Sequence, residues 1–306
     1  MKHTASELAA QTQHANRTTR QPTTLSPFRY PGGKSWLRPL VLDWLQSLPY
    51  RPKVFLEPFA GGASVGLAIA ELDLADKVHL IERDPDVAAV WKVALGRNCQ
   101  RLCKRILAFP MSREAVVGVL ADLRTDLVSV AFRCLLRNRV QRGGILAPRA
   151  GLLRKGERGR GIHSRWYPQT LARRLQVIHS LRHRIRFTEG DAMSLLPVLL
   201  RTPNAAVFID PPYALNGHGP GIRLYRHAHV NHTQLFAHLA KAPCACLATY
   251  HASSAICRLA KDSGFSVATK HMKTAHHRTR REIILRKPAV TLPNGASLSF
   301  VKLRTK

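Results

Sequence analysis

The sequence predicts an α/β fold built on a doubly wound parallel sheet, and three observations support that prediction. A short apolar strand pattern at "KVFLEP" runs into the glycine turn "FAGG". A helix pattern and a second apolar strand, "KVHLIERD" at residues 77–84, follow directly. A third apolar run, "AAVFI", ends in the tetrapeptide "DPPY" at residues 210–213. Strand, glycine turn, helix and strand in this order begin a Rossmann-like sheet.

The charge balance favours a polyanionic partner. The chain carries 48 Lys and Arg against 18 Asp and Glu, a formal net charge of +30, and nucleic acid is the leading candidate for such a field. A membrane surface is the alternative, but no apolar run reaches roughly 18 residues, so we expect neither a membrane span nor a signal peptide. The six cysteines form no CxxC pair and no zinc spacing, which is typical of reduced thiols in a cytoplasmic protein.

Composition divides the chain into a core and an insert. Residues 1–26 are polar, and we expect them to form a flexible N-terminal tail. Residues 133–186 contain 15 Arg or Lys and a single acid, Glu157, within a partly helical and glycine-rich region. Strand patterns return from residue 185 onward and continue at "CACLATYH", "FSVATKH" and "REIILRK". We therefore predict a core domain from residues 27–90 and 187–306, interrupted by a basic, mostly helical insert at residues 91–186.

The glycine turn and the following acids indicate a nucleoside-containing cofactor. Glycines after a first strand let the backbone approach a ligand, although "FAGGAS" lacks the GxGxxG spacing. An acid at the end of the second strand holds ribose hydroxyls in dinucleotide folds, and either Glu82 or Asp84 has that position. Asp84 alternatively caps the helix that begins at Pro85. "RYPGGKS" is not a P-loop because Phe28 replaces the required glycine, so Lys34 needs another function.

The tetrapeptide at residues 210–213 indicates a site for a flat group that carries an amine. Pro211 and Pro212 fix φ and remove two N–H donors, which leaves carbonyl acceptors beside the Asp210 carboxylate. The ring of Tyr213 follows directly and offers a surface for stacking. A nucleobase with an exocyclic amine fits this arrangement, and in a duplex it would have to be flipped out of the stack. An ordinary Asp-Pro turn is the structural alternative.

Taken together, these motifs resemble the DNA adenine methyltransferases of the alpha motif order, the group that includes the bacterial Dam-type enzymes. "FRYPGGK", "FLEPFAGGASVGL", "IERD" and "DPPY" resemble the cofactor and catalytic motifs of that family. "NRVQRGGI" at residues 138–145 resembles its recognition region, and "HTQLFAHL" a later motif. The similarity covers roughly residues 27–287, with two departures: Ala63 replaces the last glycine of the family's FxGxG pattern, and Tyr30 replaces the usual tryptophan of its first motif.

The resemblance implies a Rossmann-like S-adenosylmethionine-dependent methyltransferase sheet with an inserted target-recognition domain, and double-stranded DNA as substrate. It implies that Tyr30 and Lys34 contact the methionine end of the cofactor, that Asp84 holds the ribose, and that Asp191 lies near the adenine ring. The residues that it places at the cofactor are Tyr30, Lys34, Glu57, Phe59, Gly61, Gly62, Asp84, Asp191 and Asp210. We expect Asp210 and the Pro211 carbonyl to accept hydrogens of the target amine while Tyr213 stacks on the base.

The basic insert is expected to hold DNA. The candidate contacts are Arg137, Asn138, Arg139, Arg142 and Arg149, and a solvated basic face with only non-specific affinity is the alternative. We expect a monomer that acts in a bacterial cytoplasm or is encoded by a phage, with no metal. The sequence does not determine whether a restriction endonuclease accompanies it. Two other functions remain open: an adenine methyltransferase acting on RNA, and an inactive DNA-binding protein on the same scaffold.

Overall fold

A computed structural model describes residues 23–29, 37–144, 146, 151–154, 156, 159–213, 229–273 and 279–288. The described strands are β1 (Val54–Glu57), β2 (Lys77–Glu82), β3 (Ile185–Glu189), β4 (Ala205–Ile209), β5 (Ala245–His251), β6 (Ser266–Lys273) and β7 (Thr279–Lys287). The described α-helices are α1 (Arg38–Gln46), α2 (Ser64–Leu72), α3 (Pro85–Leu95), α4 (Cys99–Ala108), α5 (Arg113–Ala121), α6 (Leu127–Val140), α7 (Pro168–Ser180), α8 (Ala192–Leu199), α9 (His232–Ala240) and α10 (Ser254–Asp262). None of the helices within these ranges is long and apolar enough to cross a membrane.

The strands form one mixed sheet in the order β3-β2-β1-β4-β5-β7-β6. The first five strands of that order pair in parallel, while β7 runs antiparallel to both β5 and β6. The chain therefore winds outward from β1 to β3 on one side and from β4 onward on the other. This arrangement confirms the predicted Rossmann-like α/β sheet, and every strand pattern identified in the sequence corresponds to one of its strands.

Burial on both faces of the sheet explains the apolar strand sequences. All five residues of β4 are buried, as the central strand of a sheet covered by helices requires. Alternate residues of β4 pack in two different hydrophobic cores on opposite faces of the sheet. Phe208 lies in the larger core with α2 and the insert helices. Val207 and Ile209 lie in the smaller core with α9 and α10. The same alternation divides Phe55 and Leu56 of β1.

Five helices, α3 to α7, lie between β2 and β3 and correspond to the predicted insert. Phe109, Phe132 and Trp166 stack edge to face at their centre, with centroid distances of 5.2 to 6.4 Å. These helices share one hydrophobic core with the sheet. The predicted boundary at residue 90 lies inside α3, and β3 begins at Ile185, two residues before the predicted return to the core at 187.

Residues 23–29 form a strap across the core and the insert. Thr23 donates from its backbone and hydroxyl to the Glu71 carboxylate on α2, at 2.9 and 2.8 Å. Leu25 and Phe28 are buried, and the Phe28 ring lies 6.3 Å from that of Trp91 on α3. Within the predicted tail, Leu25 is therefore buried, and the exposed Thr23 is hydrogen-bonded to α2. The rest of the predicted tail, residues 1–22, lies outside the described residues.

Candidate active site

The carboxyl ends of four neighbouring parallel strands bring the candidate site together. Strand order reverses between β1 and β4, and in open α/β sheets ligands bind in the crevice at such a switch point. Glu57 ends β1, Glu82 ends β2, Asp210 follows β4 and Thr249 lies near the end of β5. Because the strands are parallel, these four side chains meet at one edge of the sheet. In a chain with 18 acids against 48 bases, three acidic side chains thus lie at one edge of the sheet.

Asp210 and Tyr213 are joined by a hydrogen bond. The Tyr213 hydroxyl lies 2.5 Å from Asp210 Oδ1 and donates to it. Both side chains are partly exposed at the edge, while Pro211 is buried and Pro212 is partly exposed. Burial, with the nearby Asp210 charge as a second cause, raises the pKa of the Tyr213 phenol well above its usual value. The phenol therefore stays protonated at neutral pH and is available as a donor.

Strand β5 supplies residues that the sequence did not single out. Thr249 is fully buried and donates its hydroxyl to the same Asp210 Oδ1 at 2.9 Å. The His251 ring meets the Tyr213 ring edge to face, with centroids 4.5 Å apart. His251 Nδ1 lies 3.8 Å from Oε1 of the buried Glu282. In the strand register, Glu282 of β7 lies opposite Lys270 of β6. Sequence alone shows "CLATYH" as a strand, and only the sheet order places its end beside Asp210.

Glu57 lies beneath the glycine turn that follows β1. It is buried, and its Oε2 accepts a hydrogen bond from the backbone N–H of Gly66 at 2.8 Å. A Cβ at Gly66 would lie only 2.5 Å from that oxygen, so glycine is required there. Burial raises the pKa of Glu57 to about 8, and the charge of Asp210 adds to this increase. Glu57 is therefore mostly protonated at neutral pH and becomes a carboxylate if a cation binds nearby.

The turn itself runs from Phe59, which is partly buried against the smaller core, to Ala63. Gly61 has a positive φ of 46° and is tied at both ends: its N–H donates to Glu82, and its carbonyl accepts from Trp91 Nε1 at 3.0 Å. Gly62 follows and is partly exposed. Ala63, which replaces a glycine of the resembled pattern, also lies in the left-handed region with φ of 45°.

The carboxyl groups of Glu82 and Asp84 accept hydrogen bonds from different parts of the backbone. Asp84 caps α3, because its Oδ1 accepts from the N–H of Asp86 at 2.9 Å and more weakly from that of Val87. This matches the capping alternative that the sequence left open. Glu82 accepts from Gly61 N–H at 2.9 Å and from Asp84 N–H at 2.8 Å, so its carboxyl lies against the glycine turn. Burial raises the pKa of Glu82 to about 7.

The remaining cofactor candidates are divided between described and undescribed residues. Asp191 caps α8 through the N–H of Met193 and lies 3.9 Å from the Arg83 guanidinium. Arg83 is next to Glu82, so Asp191 is on the same side of the sheet edge as the glycine turn. Tyr30 and Lys34 lie outside the described residues, as does the segment 214–228 that follows Tyr213.

The structure divides the candidate DNA contacts by burial. Asn138 is fully buried: its amide accepts from Arg29 N–H at 2.8 Å and donates to the carbonyls of Arg29 and Gly144. Gly144 has φ of 70°, and a Cβ there would lie 2.4 Å from the Arg29 carbonyl oxygen. Arg139 is also buried and donates to the Pro27 carbonyl at 2.6 Å. In this conformation Asn138 and Arg139 hold the strap rather than face solvent.

The other three candidate DNA contacts are Arg137, Arg142 and Arg149. Arg137 is mostly buried and pairs with Asp86 at 3.2 Å. Arg142 is exposed, beside the end of α6, and its backbone N–H is held by the Gly151 carbonyl at 3.0 Å. Arg149 lies outside the described residues. Among the described candidates, Arg142 is therefore the one whose side chain has the surface that a duplex could contact.

No protein-family model matches the chain, and the comparison with curated proteins gives no match. Several solved structures are similar to it. A candidate RNA methyltransferase from Pyrococcus horikoshii has 12% identity and a TM-score of 0.40, over 90% of this chain and 96% of that one. The precorrin-6y C5,15-methyltransferase of Geobacter metallireducens has 13% identity and a TM-score of 0.35, over 81% and 87%. The rRNA methyltransferase aviRa of Streptomyces viridochromogenes has 15% identity and a TM-score of 0.35, over 81% and 82%.

At these scores the similarity says nothing about the substrate of this chain. The fold assignment rests on the order and direction of the seven strands themselves.

Proposed function

We propose that the chain is an S-adenosylmethionine-dependent methyltransferase that modifies the exocyclic N6 amine of a flipped adenine in double-stranded DNA. The observation that carries this proposal is the position of Asp210 and Tyr213. An acceptor oxygen and an aromatic ring stand at the switch point of the sheet, next to a glycine turn flanked by the buried Glu57 and the partly buried Glu82. A positioned amine acceptor beside a cofactor crevice is what transfer to a nucleobase amine requires.

The acids of the site support a cationic cofactor. Glu57 is buried and Glu82 is partly buried, and burial of their carboxyl groups raises their pKa values to about 8 and about 7. An adjacent positive charge offsets the cost of ionising a buried carboxyl, so such a site favours a ligand with cationic groups. S-adenosylmethionine has a sulfonium and an ammonium group, and its ribose offers hydroxyls to a carboxyl. When bound, it supplies an activated methyl group.

Glu82 is the better candidate for the ribose. The carboxylate of Asp84 is engaged at the N-terminus of α3 by Asp86 and Val87, so recruiting it would uncap that helix. Glu82 already accepts from Gly61 N–H of the turn. A hydroxyl that approaches Gly61 therefore meets the Glu82 carboxyl first. We propose Glu82 for the function that the resemblance gave to Asp84.

The chemistry needs positioning of the amine more than a strong base. The adenine N6 lone pair is delocalised into the ring, so it is a weak nucleophile. Acceptance of the amine hydrogens by Asp210 and the Pro211 carbonyl would draw that lone pair out of conjugation and stabilise positive charge growing on nitrogen. The new N–C bond forms as the S–C bond breaks, and one amine proton then leaves to solvent. The ring of Tyr213 holds the flipped base by stacking.

The net charge of +30 supports a nucleic acid as substrate. Arg142 is our candidate for a duplex contact beyond the site, because it is exposed at the end of the basic helix α6. Arg137, Asn138 and Arg139 contribute indirectly in this proposal, by fixing α6 against α3 and the strap. Phosphate contacts by exposed Arg and Lys of the insert would orient the duplex toward Asp210.

Incorporation of a labelled methyl group decides between the candidate functions. Purified protein and labelled S-adenosylmethionine are incubated separately with duplex DNA, single-stranded DNA and structured RNA. In a second experiment, modification-sensitive sequencing of DNA from cells that express the protein reports the methylated base and its sequence context. We expect N6-methyladenine in duplex DNA. Incorporation into RNA alone would select the RNA methyltransferase. Duplex binding without cofactor binding in calorimetry would select the inactive DNA-binding scaffold.

A further inference from the structure

We propose that Thr249 is the positioning residue of the site: its hydroxyl holds the Asp210 carboxylate in place when the Tyr213 hydroxyl leaves to let the target base in. This inference rests on the proposed function for its kinetic consequence, although its structural consequence is independent of any substrate. Thr249 belongs to none of the motifs that the sequence indicated.

The geometry places Thr249 where no other β5 residue could act. β4 and β5 pair in parallel with Ile209 opposite Ala248, so Asp210 and Thr249 are the next residues along the two strands. The Thr249 hydroxyl lies 2.9 Å from Asp210 Oδ1, and the side chain is fully buried. A buried β-branched side chain has little rotamer freedom, so the donor is fixed by the sheet itself.

Tyr213 is the exchangeable partner of the same oxygen. Its hydroxyl donates to Asp210 Oδ1 at 2.5 Å and lies 3.5 Å from the Thr249 hydroxyl. With this hydrogen bond formed, the phenol occupies a direction from which an amine N–H could approach Asp210. In this proposal the phenol moves when the ring stacks on a base, and that movement removes the hydroxyl donor that Tyr213 supplies to Oδ1. The Thr249 hydroxyl then still donates to Asp210 Oδ1, and it is held by strand β5.

In this proposal Thr249 affects the reaction through the orientation of the Asp210 carboxylate. Loss of a hydroxyl donor gives a carboxylate on the loop after β4 more rotational freedom about its side-chain bonds, and a misplacement of about 1 Å can cost on the order of a hundredfold in rate. Thr249 does not contact the substrate in this proposal. It acts through Asp210, and removal of its hydroxyl should therefore slow methyl transfer without weakening the binding of cofactor or DNA.

The kinetic test compares Thr249→Val, Thr249→Ser and the matched control Thr188→Val. Thr188 lies on β3, three strands from β4 in the sheet, and its hydroxyl contacts His79 at 2.9 Å. Under single-turnover conditions we expect Thr249→Val to slow methyl transfer by about tenfold to a hundredfold, with cofactor and duplex dissociation constants unchanged. Thr249→Ser keeps the hydroxyl and should stay within about threefold of wild type. Equal rates for Thr249→Val and Thr188→Val would overturn the proposal, as would a failure of Ser to restore the rate.

The structural test needs no activity and separates this proposal from the proposed function. Crystal structures of Tyr213→Phe and of Tyr213→Phe/Thr249→Val are compared, since the first lacks the phenol donor and the second lacks both donors. We expect Asp210 to keep its position in the single variant and to adopt another rotamer or several in the double variant. An unchanged Asp210 in the double variant refutes the positioning role. If the wild type transfers no methyl group to any nucleic acid, the proposed function fails, and these structures still decide the role of Thr249.

Discussion

The Tyr213 hydroxyl and the Asp210 carboxylate, neighbours within one tetrapeptide, share a hydrogen bond of 2.5 Å. The sequence indicates both as ligands of an amine, but here each satisfies the other. In the proposed mechanism the phenol O–H occupies the place of an amine N–H, and entry of a base would exchange one donor for another at Asp210. Such an exchange would keep a second donor on Asp210 Oδ1 beside the Thr249 hydroxyl.

The first prediction concerns Asp210. Asp210→Ala should abolish methyl transfer, because no acceptor remains to draw out the amine lone pair, while duplex affinity in a filter-binding assay stays within about twofold. Asp262→Asn, at the end of α10, is the control for loss of one negative charge. Wild-type turnover by Asp210→Ala would contradict the mechanism.

The second prediction separates the ring of Tyr213 from its hydroxyl. Tyr213→Phe keeps the stacking surface and should retain transfer within about threefold of wild type, since Thr249 still donates to Asp210. Tyr213→Ala removes the ring and should cost about 1 to 3 kcal/mol of base stacking. Fluorescence of 2-aminopurine at the target position measures the flipped base. Equal losses in the two variants would show that the hydroxyl, not the ring, is the functional part.

The third prediction is a proton released when the cofactor binds. The pKa of Glu57 is raised to about 8, so the group is mostly protonated at pH 7, and a cation bound beside it should lower that pKa. Calorimetry in two buffers of different ionisation enthalpy should then show up to one proton released per cofactor. Glu57→Gln, which keeps an acceptor for Gly66 N–H, should bind without the part of the release that belongs to Glu57. The same release from both proteins would exclude Glu57 as its source.

The fourth prediction is the pH dependence of stability without cofactor. The pKa of Glu57 rises from 4.5 to about 8 on folding, so the folded state binds more protons than the unfolded state between these values. The free energy of unfolding should therefore fall as pH rises from about 5 to 8, by at most about 1.4 kcal/mol per pH unit for this group. Denaturant unfolding of Glu57→Gln should show a shallower slope. Glu71→Gln, on α2, is the control and should keep the wild-type slope.

The fifth prediction distinguishes the buried strap contacts from exposed DNA contacts. Asn138→Ala leaves the backbone groups of Arg29 and Gly144 without their side-chain partner, and it should lower the free energy of unfolding by about 2 to 4 kcal/mol. Arg142→Ala should change stability by about 0.5 kcal/mol or less, and should reduce the salt dependence of duplex binding by about one counterion. A stable Asn138→Ala protein with weakened duplex binding would favour the direct DNA contact that the resemblance implies.

The sequence by itself determined the α/β sheet, and it predicted the candidate site residues of the "DPPY" tetrapeptide. A short continuous apolar run such as β4, bounded by turn residues, is typical of a strand buried on both faces, and the "DPPY" tetrapeptide after such a run is then expected at the carboxyl edge of the sheet. The glycines after β1 indicated a turn, and Gly61 lies in that turn with a positive φ of 46°. These features depend on residues close together in the chain, where periodicity and local sterics decide.

Only the tertiary structure decided which distant residues share the site. Thr249 and Asp210 are 39 positions apart, and they meet because β4 and β5 pair in parallel with a particular register. Asp84 caps a helix while Glu82 faces the turn, although both stand in the same short motif. Asn138 and Arg139 belong to a basic stretch whose composition predicts exposed side chains. On α6, however, both side chains are buried and donate to backbone carbonyls of the strap. Strand register and helix rotation are set by the packing of the whole core, and no local pattern in the sequence records them.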